Sequence, residues 1–205
     1  MKTRICTFFP PLFGLILIGC AAPASETAAK ATATAQTTQP GVPAVVFIEF
    51  VATPQDVVER MLEVAGVTRE DVVCDLGCGD GRIVVTAARR YGCRAIGYDL
   101  DPLRVREARQ NVAEHGVAHL VTIEQKDVLK ADLTDVSIVT LYMGTELNAR
   151  LIPQLRKLRP GTRIVSHEFA IGELTPDRVI RMTSRSDSRQ HTIYLWTCPL
   201  PQGGH

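Results

Sequence analysis

The sequence lacks an excess of charge of either sign. Among its 205 residues, 23 are basic (Lys or Arg) and 22 are acidic, which gives a formal net charge of +1. A nucleic-acid-binding protein usually carries a basic excess that attracts the phosphate backbone. We therefore expect no nucleic-acid partner. Hydrophobic residues make up 45% of the chain and charged residues 22%, which is typical of a globular domain.

The sequence also lacks the paired cysteines that bind zinc. Four of its six cysteines lie beyond the first 20 residues, and they are scattered, with no C-x-x-C pair and no pair of histidines nearby. These are Cys74, Cys78, Cys93 and Cys198. We expect them to be small buried side chains, and we predict no metal site.

A transmembrane helix needs about 20 consecutive apolar residues, and no apolar run in this sequence is that long. The run from Phe8 to Gly19 is shorter, and it follows two positive charges, Lys2 and Arg4. This layout is typical of a secretory signal. Its end, Leu17-Ile18-Gly19-Cys20, resembles the lipobox of bacterial lipoproteins, which implies lipidation of Cys20 and a membrane anchor on the exported side, periplasmic or cell-surface. If translation starts further downstream, the protein would be cytoplasmic.

Four segments follow from composition. Residues 1–20 form the predicted signal peptide. Residues 21–44 are rich in Ala, Thr, Pro and Gln, and because they offer little apolar surface to bury, they predict a flexible tether. Residues 45–198 form one predicted domain, and residues 199–205 a C-terminal tail.

The domain alternates predicted strands and helices. Strands are expected at 71–76, 94–99, 120–125, 136–142 and 162–167, with a closing pair at 179–182 and 192–197. Helices are expected at 81–91, 102–115 and 146–158, after a first helix in which Thr53 is the N-cap and Pro54 the first helical residue. The alternation predicts an α/β fold: a Rossmann-like, doubly wound, mainly parallel seven-stranded sheet with a C-terminal antiparallel hairpin.

A glycine-rich loop, Gly77-Cys78-Gly79-Asp80-Gly81, follows Asp75-Leu76 at the end of the first predicted strand. A dinucleotide fingerprint would place its third glycine at position 82, which is Arg82. The G-x-G-x-G spacing resembles motif I of class I S-adenosylmethionine-dependent methyltransferases. The resemblance implies that Gly77, Cys78, Gly79 and Gly81 hold the methionine end of the cofactor, and that Asp75 organises the loop and the cofactor's amino group.

Asp99 ends the second predicted strand, where an acid can accept hydrogen bonds from both ribose hydroxyls of an adenosine. NAD enzymes use an acid in the same place, so Asp99 alone does not choose the cofactor. Asp101 is predicted to cap the next helix. Asp127 stands where this family contacts the adenine amino group, but a turn-capping role is an equal alternative. The predicted cofactor contacts also include Thr53, Leu100 and Val128.

The fourth predicted strand lacks the N/D-P-P-Y/F motif of methyltransferases that act on DNA adenine or glutamine amides. The domain instead resembles small archaeal protein-lysine methyltransferases and the mitochondrial enzymes that methylate ATP synthase subunit c and the adenine nucleotide carrier. Phe50 departs from that branch, which has Tyr there, and Met143-Gly144-Thr145 replaces a more apolar turn. The segments that carry the resemblance are residues 53–58, 75–82, 139–142, 158–169 and 192–195.

The resemblance implies S-adenosylmethionine as the cofactor and lysine side chains of a protein as the substrate. Tyr142 is then expected to line the methyl channel, and His167 and Glu168 to orient the amine. Alternatively, His167 and Glu168 satisfy polar groups at a strand end. Three other functions stay open: an NAD-dependent oxidoreductase, a small-molecule methyltransferase and a non-catalytic exported ligand-binding domain.

Overall fold

The computed structural model describes residues 50–201. The predicted signal peptide, Cys20 and the predicted tether lie outside the described residues. Within them, no helix has both the length and the apolar character to cross a membrane.

Seven strands form one sheet. They are β1 (Val72–Leu76), β2 (Arg94–Asp99), β3 (Val121–Gln125), β4 (Ile138–Leu141), β5 (Arg163–His167), β6 (Arg178–Thr183) and β7 (Gln190–Thr197). Their order is β3-β2-β1-β4-β5-β7-β6. The first five strands pair in parallel, whereas β7 is antiparallel to both β5 and β6. This confirms the predicted fold, including the antiparallel pair at the C-terminus.

Helices cover both faces of the sheet. They are α1 (Gln55–Val64), α2 (Arg82–Tyr91), α3 (Pro102–Glu114), α4 (Thr145–Arg150) and α5 (Ile152–Leu155), with a 3₁₀ helix at Val128–Lys130. Every residue of β1 is buried. Because successive side chains of a strand point to opposite faces, Val73 joins the core beneath α1, α2 and α3, while Cys74 joins the core beneath α5. The four domain cysteines are free and buried, as predicted.

Two helix predictions were wrong in detail. Pro54, and not Thr53, is the N-cap of α1, because its ψ of 145° is extended and its carbonyl accepts the first helical N–H groups. The Thr53 hydroxyl bonds to His167 instead. The helix expected over 146–158 is divided into α4 and α5, because Pro153 lacks the N–H that would continue α4. By contrast, Asp101 caps α3 as predicted and accepts the N–H of Leu103.

Candidate active site

The glycine-rich loop joins β1 to α2 at the carboxyl edge of the parallel strands, where ligands of such sheets bind. The N–H groups of Gly77 and Cys78 both donate to the Tyr98 carbonyl, at 2.8 and 2.9 Å. Gly77, Gly79 and Gly81 have φ values of 77°, 53° and 76°. Other residues rarely adopt this left-handed backbone, so the loop's path depends on its glycines.

Two of these glycines are also closely covered. A Cβ atom at Gly77 would lie 2.9 Å from Sδ of Met143, and one at Gly79 would lie 2.2 Å from the Phe50 ring. The guanidinium of Arg104 lies over the same ring, 4.7 Å from its centroid. The side chains of Met143 and Phe50 therefore lie directly against the loop, and a residue larger than glycine at either position would displace them.

Asp99 anchors the loop. Its Oδ2 accepts the Gly79 N–H at 2.8 Å, and its Oδ1 accepts the Asp101 N–H at 3.0 Å. An ionised carboxylate has about four acceptor positions, so each oxygen can accept a further bond. Asp99 can thus shape the loop and also bind the two hydroxyls of a ribose.

Asp75 lies beneath the loop and is 3% exposed. Thr140 on β4 donates to its Oδ1 at 2.6 Å. Burial raises the pKa of Asp75 to about 7; the Thr140 bond opposes this rise, and the nearby charges of Asp99 and Asp80 add to it. At neutral pH the carboxyl is therefore divided between its two forms, and a cationic amino group above the loop would favour the charged one.

This pKa predicts a pH-dependent contribution to stability. The native protein keeps a proton on Asp75 that the unfolded chain releases near the ordinary pKa of 3.8. The stabilisation by Asp75 is complete below that value and falls as the pH rises towards 7, by about 1.4 kcal/mol per pH unit in mid-window. Asp75→Asn should lack this slope.

The measurement is urea unfolding of the cofactor-free wild type and Asp75→Asn at a series of pH values from 5 to 7.5. The pKa of His167 is lowered by burial and contributes a slope of opposite sign, but it is common to both proteins and cancels in their difference. A difference that stays flat across the range would show that Asp75 ionises normally.

Gly79 offers a second prediction, about cofactor affinity. An alanine methyl would intrude between the loop and the Phe50 ring, so Gly79→Ala should weaken S-adenosylmethionine binding at least tenfold, or about 1.4 kcal/mol. Gly161 is the matched control, because its φ of 85° carries a similar backbone strain and nothing lies within 4 Å of its added Cβ. Calorimetric titration should give Gly161→Ala the wild-type dissociation constant. Equal effects of the two variants would mean that backbone strain alone is responsible.

A second group of polar side chains lies at the end of β5. Because β7 runs antiparallel to β5, its first residues lie beside the last residues of β5, and His167 is opposite Ile193. His167 Nε2 is 2.9 Å from His191 Nδ1, and Oε1 of Glu168 is 3.1 Å from the same His191 atom. His191 Nε2 lies 3.1 Å from the Asp187 carboxylate.

Aromatic rings cover this polar group. The Tyr142 ring centroid is 4.2 Å from that of His167 and 5.8 Å from that of Phe169. His167 is fully buried, and burial, with a smaller effect from His191, lowers its pKa to about 4. His167 is therefore a neutral ring at physiological pH.

Glu168 has an unusual backbone. Its φ of 61° lies in the left-handed region that residues with a side chain rarely adopt. The conformation is held by a bond from its N–H to the Thr192 carbonyl, at 2.8 Å, and the Thr192 N–H donates to Oε1 of Glu168 at 3.3 Å. Strain of this kind persists where the surrounding structure imposes it, often at functional sites.

Thr53 joins the two parts of the site. Its hydroxyl lies 3.2 Å from Nδ1 of His167, and its carbonyl accepts a 2.7 Å bond from Arg82, the first residue of α2 after the glycine loop. Asp80 holds the Arg82 guanidinium in turn. The predicted catalytic residues and the predicted cofactor loop are therefore fixed to the same short segment before α1.

Not every predicted residue shares these contacts. Asp127 caps the 3₁₀ helix and accepts the Leu129 N–H at 3.0 Å, which is the alternative role that the sequence left open. Val128 is buried and Leu100 is 46% exposed, and both follow the strands on the β3 side of the site. The sequence did not single out His191, Asp187 or the bond from Arg82 to Thr53.

Comparison with known proteins finds methyltransferases that are similar to this chain. Residues 75–178 match the ANTKMT methyltransferase domain family. A protein-lysine N-methyltransferase of Saccharolobus islandicus is 41% identical over 151 residues, which cover 73% of this chain and 92% of the relative. The adenine nucleotide translocase lysine N-methyltransferase of Mus musculus is 34% identical, over 69% of this chain and 63% of the relative. The crystal structure of an RNA methyltransferase from Salinibacter ruber in complex with S-adenosyl-L-homocysteine superimposes with a TM-score of 0.68 and 46% identity, over 73% of this chain and 94% of that one.

Proposed function

The chain belongs to the ANTKMT methyltransferase domain family, whose members are class I S-adenosylmethionine-dependent methyltransferases, and from that membership we propose that its substrates are lysine side chains of proteins. The relative from Saccharolobus islandicus is a protein-lysine N-methyltransferase and matches nearly its whole length to this chain. The observation that carries the proposal is the carboxylate of Glu168, which Thr53 and His167 connect to the cofactor loop.

A lysine side chain must be deprotonated and oriented before it can be methylated, and this site contains groups suited to both. Its ammonium has an ordinary pKa of about 10.4 and must lose a proton before its nitrogen can attack. Glu168 is 31% exposed at its side chain, so its carboxylate can accept a bond from the incoming ammonium and orient it. The Tyr142 ring beside His167 provides an apolar wall, and a less polar surrounding favours the neutral amine.

Bound S-adenosylmethionine would supply a methyl carbon that its sulfonium already activates. The glycine loop, Asp75 and Asp99 would hold it, since the carboxylate of Asp99 keeps free acceptor positions beside the loop. When bound, it would donate that methyl group to the lysine nitrogen, and its sulfur would keep the electron pair of the broken bond. The protein's main task is alignment, and alignment can lower a barrier by about 7–11 kcal/mol.

RNA is the competing substrate, because the similar structure from Salinibacter ruber is described as an RNA methyltransferase. The balanced charge of this chain favours protein. In the first test, the full-length protein is incubated with S-adenosylmethionine that carries a labelled methyl group and with poly-L-lysine, poly-L-arginine or bulk RNA. In the second, cells that express the wild type or Glu168→Ala are compared for methyl-lysine by mass spectrometry. Label in lysine alone supports the proposal, whereas label in RNA alone refutes it.

The proposal extends to location. A lipid on Cys20 would place the domain at a membrane surface, on the exported side. Support comes from the order of charge, apolar run and cysteine in residues 2–20. The full-length protein should enter the detergent phase on phase separation, and Cys20→Ala should move it to the aqueous phase. Equal partitioning of the two proteins would leave Cys20 without a lipid.

A further inference from the structure

We propose that His167, Glu168 and His191 form a binding site for a divalent transition-metal ion, and that zinc is its best match. The inference is independent of the lysine substrate, because it depends only on the arrangement of three side chains. Sequence spacing does not reveal the site, since the two histidines stand 24 positions apart and meet only through the antiparallel pairing of β5 with β7.

Three ligand atoms converge on one point. His167 Nε2 and His191 Nδ1 are 2.9 Å apart, Glu168 Oε1 is 3.1 Å from His191 Nδ1, and it is 3.5 Å from His167 Nε2. Around a tetrahedral zinc ion with bonds of about 2.0–2.1 Å, ligand atoms lie roughly 3.3 Å apart. The observed triangle is close to that size, so small side-chain shifts would admit the ion.

Both imidazole rings are held in place by their outer nitrogen atoms. Nδ1 of His167 lies 3.2 Å from the Thr53 hydroxyl, and Nε2 of His191 lies 3.1 Å from the Asp187 carboxylate. Both rings are buried, His167 being 0% and His191 6% exposed, and burial restricts them from turning to other orientations. Metal-binding histidines typically bond through their other nitrogen to a carboxylate or a similar group, which orients the ring.

The three ligand atoms face one another. A carboxylate only accepts hydrogen bonds, so the His191 nitrogen facing Asp187 must carry the ring's hydrogen. His191 Nδ1 faces both the Glu168 carboxylate, at 3.1 Å, and Nε2 of His167, at 2.9 Å. A hydrogen on one of these nitrogen atoms satisfies the contacts in the metal-free protein, and a metal ion in its place would satisfy all three ligand atoms together.

The donor set also selects the metal. Two imidazoles and one carboxylate with a fourth position open to water are a common zinc ligand set, whereas magnesium and calcium prefer oxygen ligands alone. The partly exposed Glu168 lies on the solvent side of the buried histidines.

The test is calorimetric titration of the full-length protein in detergent with ZnCl2, after dialysis against a chelator. We expect one zinc ion per chain, at micromolar affinity or tighter. Asp187→Asn should bind zinc about 10–100-fold more weakly, because it alters only the group that orients His191. His191→Gln should lose the site, while His119→Gln, an exposed histidine, should bind as the wild type does.

Cobalt provides a second readout, because Co2+ in a tetrahedral protein site gives strong visible absorption bands. These bands should be present in the wild type and in His119→Gln, and absent from His191→Gln. If His191→Gln does not fold, Glu168→Gln takes its place, since its side chain is partly exposed. A wild type that binds no zinc, or variants that all bind it equally, would overturn the proposal without any assay of methylation.

A bound zinc ion would also affect the proposed reaction. Its charge beside Glu168 would oppose the approach of a lysine ammonium, so zinc should raise KM for a lysine peptide and a chelator should restore it. Initial rates at constant ionic strength, with and without the chelator, measure this effect. An unchanged KM would separate the metal site from substrate binding.

Discussion

Glu168→Ala is expected to lower kcat about 10²–10⁴-fold, the range typical of a positioned acid or base, and to leave the dissociation constant of S-adenosylmethionine unchanged. The reason is that Glu168 is not one of the residues predicted to contact the cofactor. Glu168 contacts His191, His167 and the Thr192 backbone. The predicted cofactor contacts are other residues, which lie before α1, at the end of β1 and in the loop after it, and at or after the ends of β2 and β3. The measurements are kcat by single-turnover methylation of a lysine peptide and cofactor affinity by calorimetry.

Two further variants show whether the lost activity of Glu168→Ala comes from the missing carboxylate or from backbone strain. Glu168→Gly also removes the carboxylate, but glycine adopts the φ of 61° freely, so its backbone is the less strained. If the carboxylate acts in the reaction, Glu168→Gly should lose as much activity as Glu168→Ala does. Glu70→Ala is the control for loss of an exposed acid, because Glu70 precedes β1 at the opposite edge of the sheet. Activity regained in Glu168→Gly would assign the effect to strain.

The fold was predictable because each of its elements has a local signal. β1 and β2 are short apolar runs, and their predicted limits lie within one residue of the observed ones. Glycines and Asp-Pro mark where α2 and α3 begin. Alternation of strands and helices then leaves few possible topologies, since crossovers between parallel strands are right-handed. The fold class follows from these constraints and from the family resemblance, whereas the order of the strands was not predicted.

The cofactor loop was predictable for the same reason. Asp75, the glycines and Asp99 lie at fixed distances from strand ends, and the structure joins Asp99 to Gly79 by a hydrogen bond. Thr53 shows the limit of local reasoning. A threonine before a proline is a good helix cap, but the Thr53 hydroxyl instead reaches His167, 114 positions away, and nothing in its neighbourhood along the chain indicates that partner.

The group around Glu168 was predictable only in part. His167 and Glu168 were identified because they end a strand that leads to the site. His191 and Asp187 were missed because their position depends on the register between β5 and β7. One signal was present: His191, Ile193 and Leu195 alternate as buried residues along β7, and a histidine in such a row needs a polar partner on its neighbouring strand.

Asp99→Ala is expected to raise the dissociation constant of S-adenosylmethionine about 100-fold, because it removes the predicted acceptor of two ribose hydroxyls. Each hydrogen bond to a charged acceptor is worth about 1.5–3 kcal/mol, and a part of that energy returns as water binds. The loop suffers as well, since the Gly79 N–H loses its partner at 2.8 Å. Asp101→Ala is a closely matched control two residues away: it removes the cap of α3, so it should cost about 1 kcal/mol of stability and leave cofactor affinity nearly unchanged. Calorimetric titration and urea unfolding of both variants measure the two effects separately. If Asp99→Ala binds the cofactor as tightly as the wild type, the ribose is held elsewhere, and the carboxylate at the end of β2 serves only to shape the loop.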